Sequence, residues 1–287
     1  MEETSEAVTG FNKPALLPYK CVVCLEAKAQ RNSFPRKSET NTTETLELIH
    51  CDLKGPANIT GRKGNRYFIT FTDDFSRFSC IVLLKEKSQA SEAVRKYIAF
   101  AENAQGRRIK AIRADNGGEF VNQEFEDILA EKGISRQRTA ANSPQQNGVA
   151  ERLNRTLGEK AKALLFQSDL PKSFWEDSVT HATYLHNITV HSACSGKTPF
   201  ELWNGKKPSL ENLVVFGARG LATIPVEQRK FLEKNTIECK FLGFPSGTKN
   251  TYKLWNVQTK REITSHSVVF DESAIKADDK TQEKEDL

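Results

Sequence analysis

The chain has 287 residues with a formal net charge of +5, and 38% of its residues are hydrophobic, as is typical of a soluble globular protein of about two domains. No apolar run approaches the roughly 20 residues of a membrane span, and the acidic start Met1–Glu6 does not resemble a secretion signal. We therefore expect an intracellular protein without membrane contact.

Charge is distributed unevenly along the chain. Residues 271–287 carry seven acids and three lysines, so the rest of the chain is more basic than the net charge indicates. A basic body is compatible with binding to phosphate backbones, although charge alone does not identify a nucleic-acid-binding protein.

The six cysteines have irregular spacing, which argues against the disulfide framework of a secreted protein. The first two, Cys21 and Cys24, form a C-x-x-C pair, which supplies half of the ligands of a structural zinc ion and needs two more. No histidine precedes Cys21, so the sequence provides only a partial zinc site. The other four are predicted to be buried thiols: Cys51, Cys80, Cys194 and Cys239.

The first candidate acid lies on a predicted strand over residues 45–53. Polar and apolar residues alternate there, and Lys54-Gly55-Pro56 breaks the pattern just after Asp52. Two strands and a helix that covers them are predicted next, at 67–73, 78–84 and 89–103.

Two further acids follow in different structural settings. Asp115 ends a predicted strand, 108–114, and precedes the breaker Asn116-Gly117-Gly118. After a predicted helix at 122–132 and a strand at 134–139, apolar residues recur at helical spacing from Val149. Glu151 therefore lies in the first turn of a helix.

Asp52, Asp115 and Glu151 would converge at one edge of the sheet. Two strand-end acids and one helix acid can hold two divalent cations and leave positions for phosphate and water. Each acid also has a structural alternative, because Asp is favoured in turns and Glu is favourable at a helix N-terminus.

Four motifs occur in order along the chain: His50–Pro56, Phe71–Arg77, Asp115–Phe120 and Ser143–Arg155. Together with the spacing of Asp115 and Glu151, they resemble the integrase of copia-type (Pseudoviridae-like) LTR retrotransposons, a fragment of the Pol polyprotein. The resemblance covers roughly residues 20 to 272.

The resemblance implies an α/β fold with a ribonuclease-H-like integrase core, a mixed five-stranded sheet with helices, over residues 43–210. A small SH3-like β-barrel would follow at 211–272, and then a disordered charged tail at 273–287. Residues 1–42 would be the remnant of a zinc-binding module and a linker.

The resemblance also implies metal-dependent DNA strand transfer. Asp52, Asp115 and Glu151 would hold two Mg²⁺ or Mn²⁺ ions, and a 3′-OH would attack a target phosphodiester in line. The partners would be double-stranded DNA and other copies of the chain, in the nucleus and in cytoplasmic virus-like particles. Two alternatives stay open: a catalytically silent fragment that only binds nucleic acid, and a simple ribonuclease-H-like nuclease.

Several side chains near Glu151 are candidates for contact with DNA phosphates: Asn147, Arg152, Arg155, Lys160 and Lys162. Arg136 on the preceding strand would add to them. The alternative is a solvated helix face on which Glu159 pairs with Lys162 or Arg155.

Other polar residues are interpreted as structural. Asp73 and Asp74 end a strand but fall outside the metal role that the resemblance gives to Asp52, and His50 is expected at the site rim or as a core histidine. Three histidines, His181, His186 and His191, are spaced by five residues, which does not repeat one helical face.

The remaining elements are a helix and a set of short strands. Pro171 near its first turn predicts a helix from about 170 to 188. Five strands with glycine and proline between them predict the barrel: 214–217, 239–244, 252–256, 262–264 and 268–270.

Overall fold

The computed structural model describes residues 42–271 except 116, 119, 139–147, 230 and 246–249. The cysteine pair Cys21 and Cys24, the side chain of Asn147 and the predicted tail at 273–287 lie outside the described residues. Two five-stranded sheets organise the part that is described.

The first sheet is mixed, as the resemblance implied. Its order is β3-β2-β1-β4-β5; β1, β2 and β3 pair antiparallel, and β4 and β5 continue the sheet in parallel with β1. Its strands are Ile49–Lys54 (β1), Tyr67–Asp73 (β2), Ser79–Leu84 (β3), Ala111–Ala114 (β4) and Ser135–Arg138 (β5).

Five α-helices pack around this sheet within the described residues: Ala90–Gln105 (α1), Gln123–Lys132 (α2), Gly148–Ser168 (α3), Trp175–Ile188 (α4) and Pro199–Asn204 (α5). Glycines in the left-handed conformation end α1 and α2, Gly106 at φ 63° and Gly133 at φ 67°. None of these helices is long and apolar enough to cross a membrane.

Alternation along the strands separates the two faces of the sheet. Ile49 and Cys51 of β1 lie in the apolar core that α1 and α2 cover, where Phe71 stacks on Tyr97 with ring centroids 4.1 Å apart. Leu153 of α3 and Val179 of α4 pack on the opposite face. His50 and Asp52 point to this second face, because they alternate with Ile49 and Cys51.

The second sheet is entirely antiparallel, in the order β10-β6-β7-β8-β9. Its strands are Arg219–Thr223 (β6), Thr236–Gly243 (β7), Tyr252–Asn256 (β8), Arg261–Ser265 (β9) and Val268–Asp271 (β10). Cys239, Phe241 and Leu254 form its buried centre. We refer to residues 214–271 as the barrel.

Several strand predictions were wrong. The strand predicted over 108–114 begins at Ala111, the strand predicted over 239–244 begins at Thr236, and the strand Arg219–Thr223 was not predicted. Val214–Gly217 is not a strand, because Gly217 turns the chain at φ 82° and lies so close to Ser168 that a Cβ would stand 2.2 Å from that side chain. The first strand begins at Ile49 rather than at 45, because Leu46 has φ 68° and its N–H donates to Asp73 Oδ1 at 2.8 Å.

Asn122 fixes the start of α2, the helix that follows the Asp115 turn. Its Oδ1 accepts the N–H of Phe125 at 2.8 Å. We expect Asn122→Ala to lower the free energy of unfolding by about 1 kcal/mol, because that N–H loses its cap. Asn122→Asp keeps an acceptor and should stay near wild type in urea unfolding; equal losses in both variants would contradict a capping role.

Candidate active site

Asp52 lies at the C-terminal end of β1, opposite Thr70 of β2. It is half-buried, and its Oδ2 accepts a hydrogen bond from Asn154 Nδ2 of α3 at 2.5 Å. A side chain on the sheet is therefore tied directly to the helix that carries Glu151.

Asp115 follows β4, the parallel neighbour of β1. Cys51 stands beside Ala114 in this pairing, so Asp52 and Asp115 are the next residues on adjacent strands. Asp115 Oδ1 accepts the N–H of Gly117 at 3.0 Å, which is the turn role that the sequence allowed. This bond uses one carboxylate oxygen, so the turn role and a second role do not exclude each other.

Glu151 is exposed in the first turn of α3, three residues before Asn154. Residues three apart on a helix share a face, and Asn154 contacts Asp52, so Glu151 lies on the side of α3 that faces β1. The structure thus brings all three predicted acids to one region.

Asp115 and Glu151 act electrostatically on Asp52. The pKa of Asp52 is raised to about 6. Burial is the largest cause, and the charges of Asp115 and Glu151 contribute to the same increase. The hydrogen bond from Asn154 acts in the opposite direction. The carboxylate of Asp52 is therefore held in its ionised form at a cost, which a bound cation would remove.

The chemistry of this donor set suits a hard divalent cation, because carboxylate oxygens are the ligands that Mg²⁺ prefers. The side chains do not form a closed cage: among the described residues no group of three or more His, Cys, Asp or Glu is positioned to hold a metal ion together. The residues fit a cation by charge and donor type, in an open arrangement.

Asn154 of α3 lies within the motif Ser143–Arg155 but was not predicted as a site residue. It is 4% exposed, and its Oδ1 has no hydrogen-bond partner within the described structure. Its position three residues after Glu151 was the available signal, since that spacing keeps both side chains on one face.

Asp73, Asp74 and His50 have structural partners. Asp73 accepts hydrogen bonds from the backbone of Leu46 and from Ser76. Asp74 pairs with His50 Nε2 at 2.8 Å and with Arg77 at 3.0 Å. Burial lowers the pKa of His50 despite this partner. These contacts agree with their interpretation as structural residues.

The predicted DNA-contacting residues separate into groups. Arg155 and Lys162 are exposed on the same stripe of α3 as Glu151, and Arg152 is exposed beside it. Lys160 is half-buried, its pKa is lowered by burial, and its charge acts on His186 of α4, so it faces away from that stripe.

Arg136 does not meet the expectation of a phosphate contact. Its side chain is only 6% exposed, pairs with Glu126 and lies over the Phe125 ring at 5.2 Å. It fastens β5 to α2 instead.

The three spaced histidines serve packing. His181 lies against Phe216 and Phe241 of the barrel, with ring centroids 5.5 Å away in each case, and burial lowers its pKa to about 4. His186 and His191 lie 4.3 Å apart, and each has a backbone carbonyl near its Nε2.

Comparison with known proteins adds two domain families. The model of the integrase core domain matches residues 42–144, and that of the retroviral polymerase SH3-like domain matches residues 219–284. Both agree with the predicted fold class, which the two sheets confirm.

The chain is 40% identical over 256 residues, 89% of its length, to the retrovirus-related Pol polyprotein from transposon TNT 1-94 of Nicotiana tabacum. It is 30% identical over 272 residues, 93% of its length, to that from transposon RE2 of Arabidopsis thaliana. The chain spans less than a fifth of the length of these relatives, 19% and 18% respectively.

Among solved structures, the chain is similar to one in the simian T-cell lymphotropic virus intasome in complex with PP2A regulatory subunit B56 gamma. The TM-score is 0.53 at 16% identity, and 87% of each chain is covered. At this identity the likeness concerns the fold.

Asp52→Asn should stabilise the cation-free protein at neutral pH. The folded pKa of about 6 lies above the ordinary 3.8, so the ionised carboxylate destabilises the fold above pH 6 and has no such effect below 3.8. Urea unfolding with a chelator should show a gain of up to about 3 kcal/mol at pH 8 that disappears near pH 3.5. A variant no more stable than wild type at pH 8 would contradict this electrostatic account.

Proposed function

We propose that the chain catalyses metal-dependent DNA strand transfer. It matches the integrase core domain and, after it, the retroviral polymerase SH3-like domain. It is also related to the Pol polyproteins of copia-type plant transposons. The observation that carries this proposal is the convergence of Asp52, Asp115 and Glu151, seen in the electrostatic effect of the last two on the first.

The three carboxylates would hold Mg²⁺ or Mn²⁺. Such ions, when bound, activate an attacking hydroxyl and stabilise the departing oxygen at phosphorus. Asn154 would orient Asp52 through its hydrogen bond to Oδ2, and the N–H of Gly117 would orient Asp115 through Oδ1. Each of these two acids keeps its second oxygen outside these bonds.

The attacking hydroxyl would be water or the 3′-OH of a DNA end, with no covalent intermediate on the protein. The described thiols support this view, since Cys51, Cys194 and Cys239 are buried. Burial raises the pKa of Cys80 to about 12 and that of Cys239 to about 11, which keeps both thiols protonated.

Arg155 and Lys162 would bind DNA phosphates beside the acids. Neither makes a salt bridge in the described part of the chain, so the alternative pairs with Glu159 are not formed. Cations without a salt-bridge partner in the described residues suit a phosphate backbone on the stripe that carries Glu151, although Lys162 Nζ also lies 5.5 Å from the ring centroid of Phe166. Arg152 would join them from the next position.

A second candidate is a catalytically silent fragment that binds nucleic acid. Its partners would be double-stranded DNA and other copies of the chain. It is favoured by the open arrangement of the acids, since the described residues contain no ready three-ligand group for a metal. The two candidates differ in whether DNA ends are joined.

Asp115→Asn should abolish strand transfer while duplex binding stays equal or becomes tighter. The change removes a metal ligand and a negative charge, but the amide oxygen can still accept the N–H of Gly117, so the turn should persist. The assay uses Mg²⁺ or Mn²⁺, a labelled duplex of the element's terminal sequence and a plasmid target.

Asp127→Asn is the matched control, because Asp127 is an exposed acid of α2 away from the site, and it should join DNA normally. Joining by Asp115→Asn would exclude Asp115 from the reaction. If the wild-type chain binds DNA without joining it, the silent fragment is the better description.

Arg155→Ala combined with Lys162→Ala should weaken DNA binding and flatten its salt dependence. Each lost phosphate contact lowers the slope of log K against log salt by about 0.9, so we expect a decrease of about 2. Lys96→Ala combined with Lys132→Ala removes the same charge from α1 and α2 and should leave the slope unchanged. Equal slopes in both double variants would show that α3 does not contact DNA.

A further inference from the structure

The loop of residues 55–66 connects β1 to β2 and begins directly after Lys54, the last residue of β1. We call it the β1–β2 loop. Backbone bonds fold it on itself: Ala57 N–H donates to Arg66 at 2.7 Å, and Gly61 N–H donates to Asn65 at 2.9 Å. Because β1 also carries Asp52, the position of this loop bears on the candidate active site.

A cavity of about 550 Å³ lies beneath the first half of the loop. Ala57, Asn58 and Ile59 line one side of it, and Ala161 and Leu165 of α3 line another. The side chains of α3 therefore do not fill the space under the loop. The position of the loop must depend on other contacts.

Glu176 of α4 provides one set of contacts. It is 1% exposed, and its carboxylate accepts the N–H groups of Lys63 and Asn65, each at 3.0 Å. A Cβ on Gly61 would stand 2.1 Å from Glu176 Oε1, so glycine lets the loop approach this closely.

Arg62 provides the connection to the barrel. Its guanidinium carbon lies 4.8 Å from the ring centroid of Phe174 and 4.5 Å from that of Trp255 on β8. Its Nη2 donates to Asp177 of α4 at 3.0 Å and to Glu262 of β9 at 2.9 Å. One side chain thus joins the loop, the catalytic core and the barrel.

Arg62 belongs to a cluster of ion pairs. Lys63 pairs with Glu262 at 3.0 Å, and Lys253 pairs with both Asp177 and Glu262. With Arg62, three cations face Asp177 and Glu262, whereas Glu176 accepts the N–H groups of Lys63 and Asn65. Burial alone would raise the pKa of Glu262, but the hydrogen bonds from Arg62 and Lys63 and the charges of Lys253 and Lys63 together outweigh burial and lower it.

Without Arg62, the buried Asp177 would keep Lys253 but lose one of its two cations, and Glu262 would lose a hydrogen bond. The loop would also lose the stacking of the Arg62 guanidinium on Phe174 and Trp255, so the loop should loosen there. The barrel should stay attached, because Phe216 and Leu242 pack on Leu170 and Lys240 Nζ donates to the carbonyl of Ser168 at 3.1 Å.

We propose that Arg62 is a positioning residue through which the barrel fixes the β1–β2 loop and, with it, the end of β1 that carries Asp52. This inference rests on the proposed strand transfer. It gives the barrel a role in the reaction that does not require a contact between the barrel and DNA.

The experiment compares wild type, Arg62→Ala and Arg62→Lys in three measurements. In Arg62→Ala, hydrogen exchange should become faster at the loop amides of Lys63 and Asn65, whose N–H groups donate to Glu176. The amides of β8 and β9 should stay protected. Mn²⁺ affinity by calorimetry should fall several-fold, and strand transfer at saturating DNA should slow about tenfold or more, because small displacements in an active site are costly. DNA affinity should change less than twofold.

Arg62→Lys keeps the charge but loses the planar group between the rings, so it should recover part of each loss. Lys240→Ala is the matched control, since it removes another cation that joins the barrel to the core and should leave the loop protected. Thermal melting checks that every variant is folded.

Unchanged exchange in the loop of Arg62→Ala would overturn the inference, and so would faster exchange with normal Mn²⁺ affinity. Where wild type transfers strands, a normal transfer rate in Arg62→Ala also overturns it. A wild-type chain that binds Mn²⁺ but joins no DNA would refute the proposed function alone, and exchange and Mn²⁺ affinity then decide the role of Arg62. A wild type that binds no Mn²⁺ would overturn both.

Discussion

The hydrogen bond from Asn154 to Asp52 is the contact on which the geometry of the candidate site depends. It connects α3 to β1 at the point where the helix also presents Glu151. Asn154 is buried, so the bond forms away from competing water and is worth more than a surface contact. Loss of this bond would leave the first turns of α3 held to the sheet by the apolar contacts of Leu153 and Leu157, without the polar contact that aligns Asp52 with Glu151.

The packing around the acids explains how the fold tolerates them. Three carboxylates in one region repel one another, yet each lies on an element that apolar contacts hold in place. Leu153 and Leu157 are buried under α3, and Ala114 is fully buried just before Asp115. The acids therefore occupy positions set by the core, and the pKa of Asp52 is raised there, mainly by burial and further by the charges of Asp115 and Glu151.

Alternation and breakers marked where strands end and so gave the candidate acids, but Asp73 and Asp74 also end a strand, and the family resemblance was needed to choose Asp52 over them. Local patterns were not sufficient where a distant contact decides the outcome. Val214–Gly217 looks like a strand, but Ser168 forces a turn at Gly217. Arg136 looks available to DNA, but Glu126 and Phe125 bury it. No local sequence pattern marked Arg62 as a residue with long-range contacts, because its partners Asp177 and Glu262 are 115 and 200 residues away.

The carboxylate groups of this protein differ in how their charge is balanced, and the difference argues for a site at Asp52. Asp177 and Glu262 face arginine and lysine, and Asp74 faces Arg77 and His50. Asp52, Asp115 and Glu151 make no salt bridge in the described regions, although the chain is basic overall. Other buried carboxylates of the described residues have either such a cation or N–H and O–H donors, as Asp73 and Glu176 do. At Asp52, Asp115 and Glu151 a cation from solution would find three carboxylates without a salt-bridge partner in the described regions and would be stabilised there.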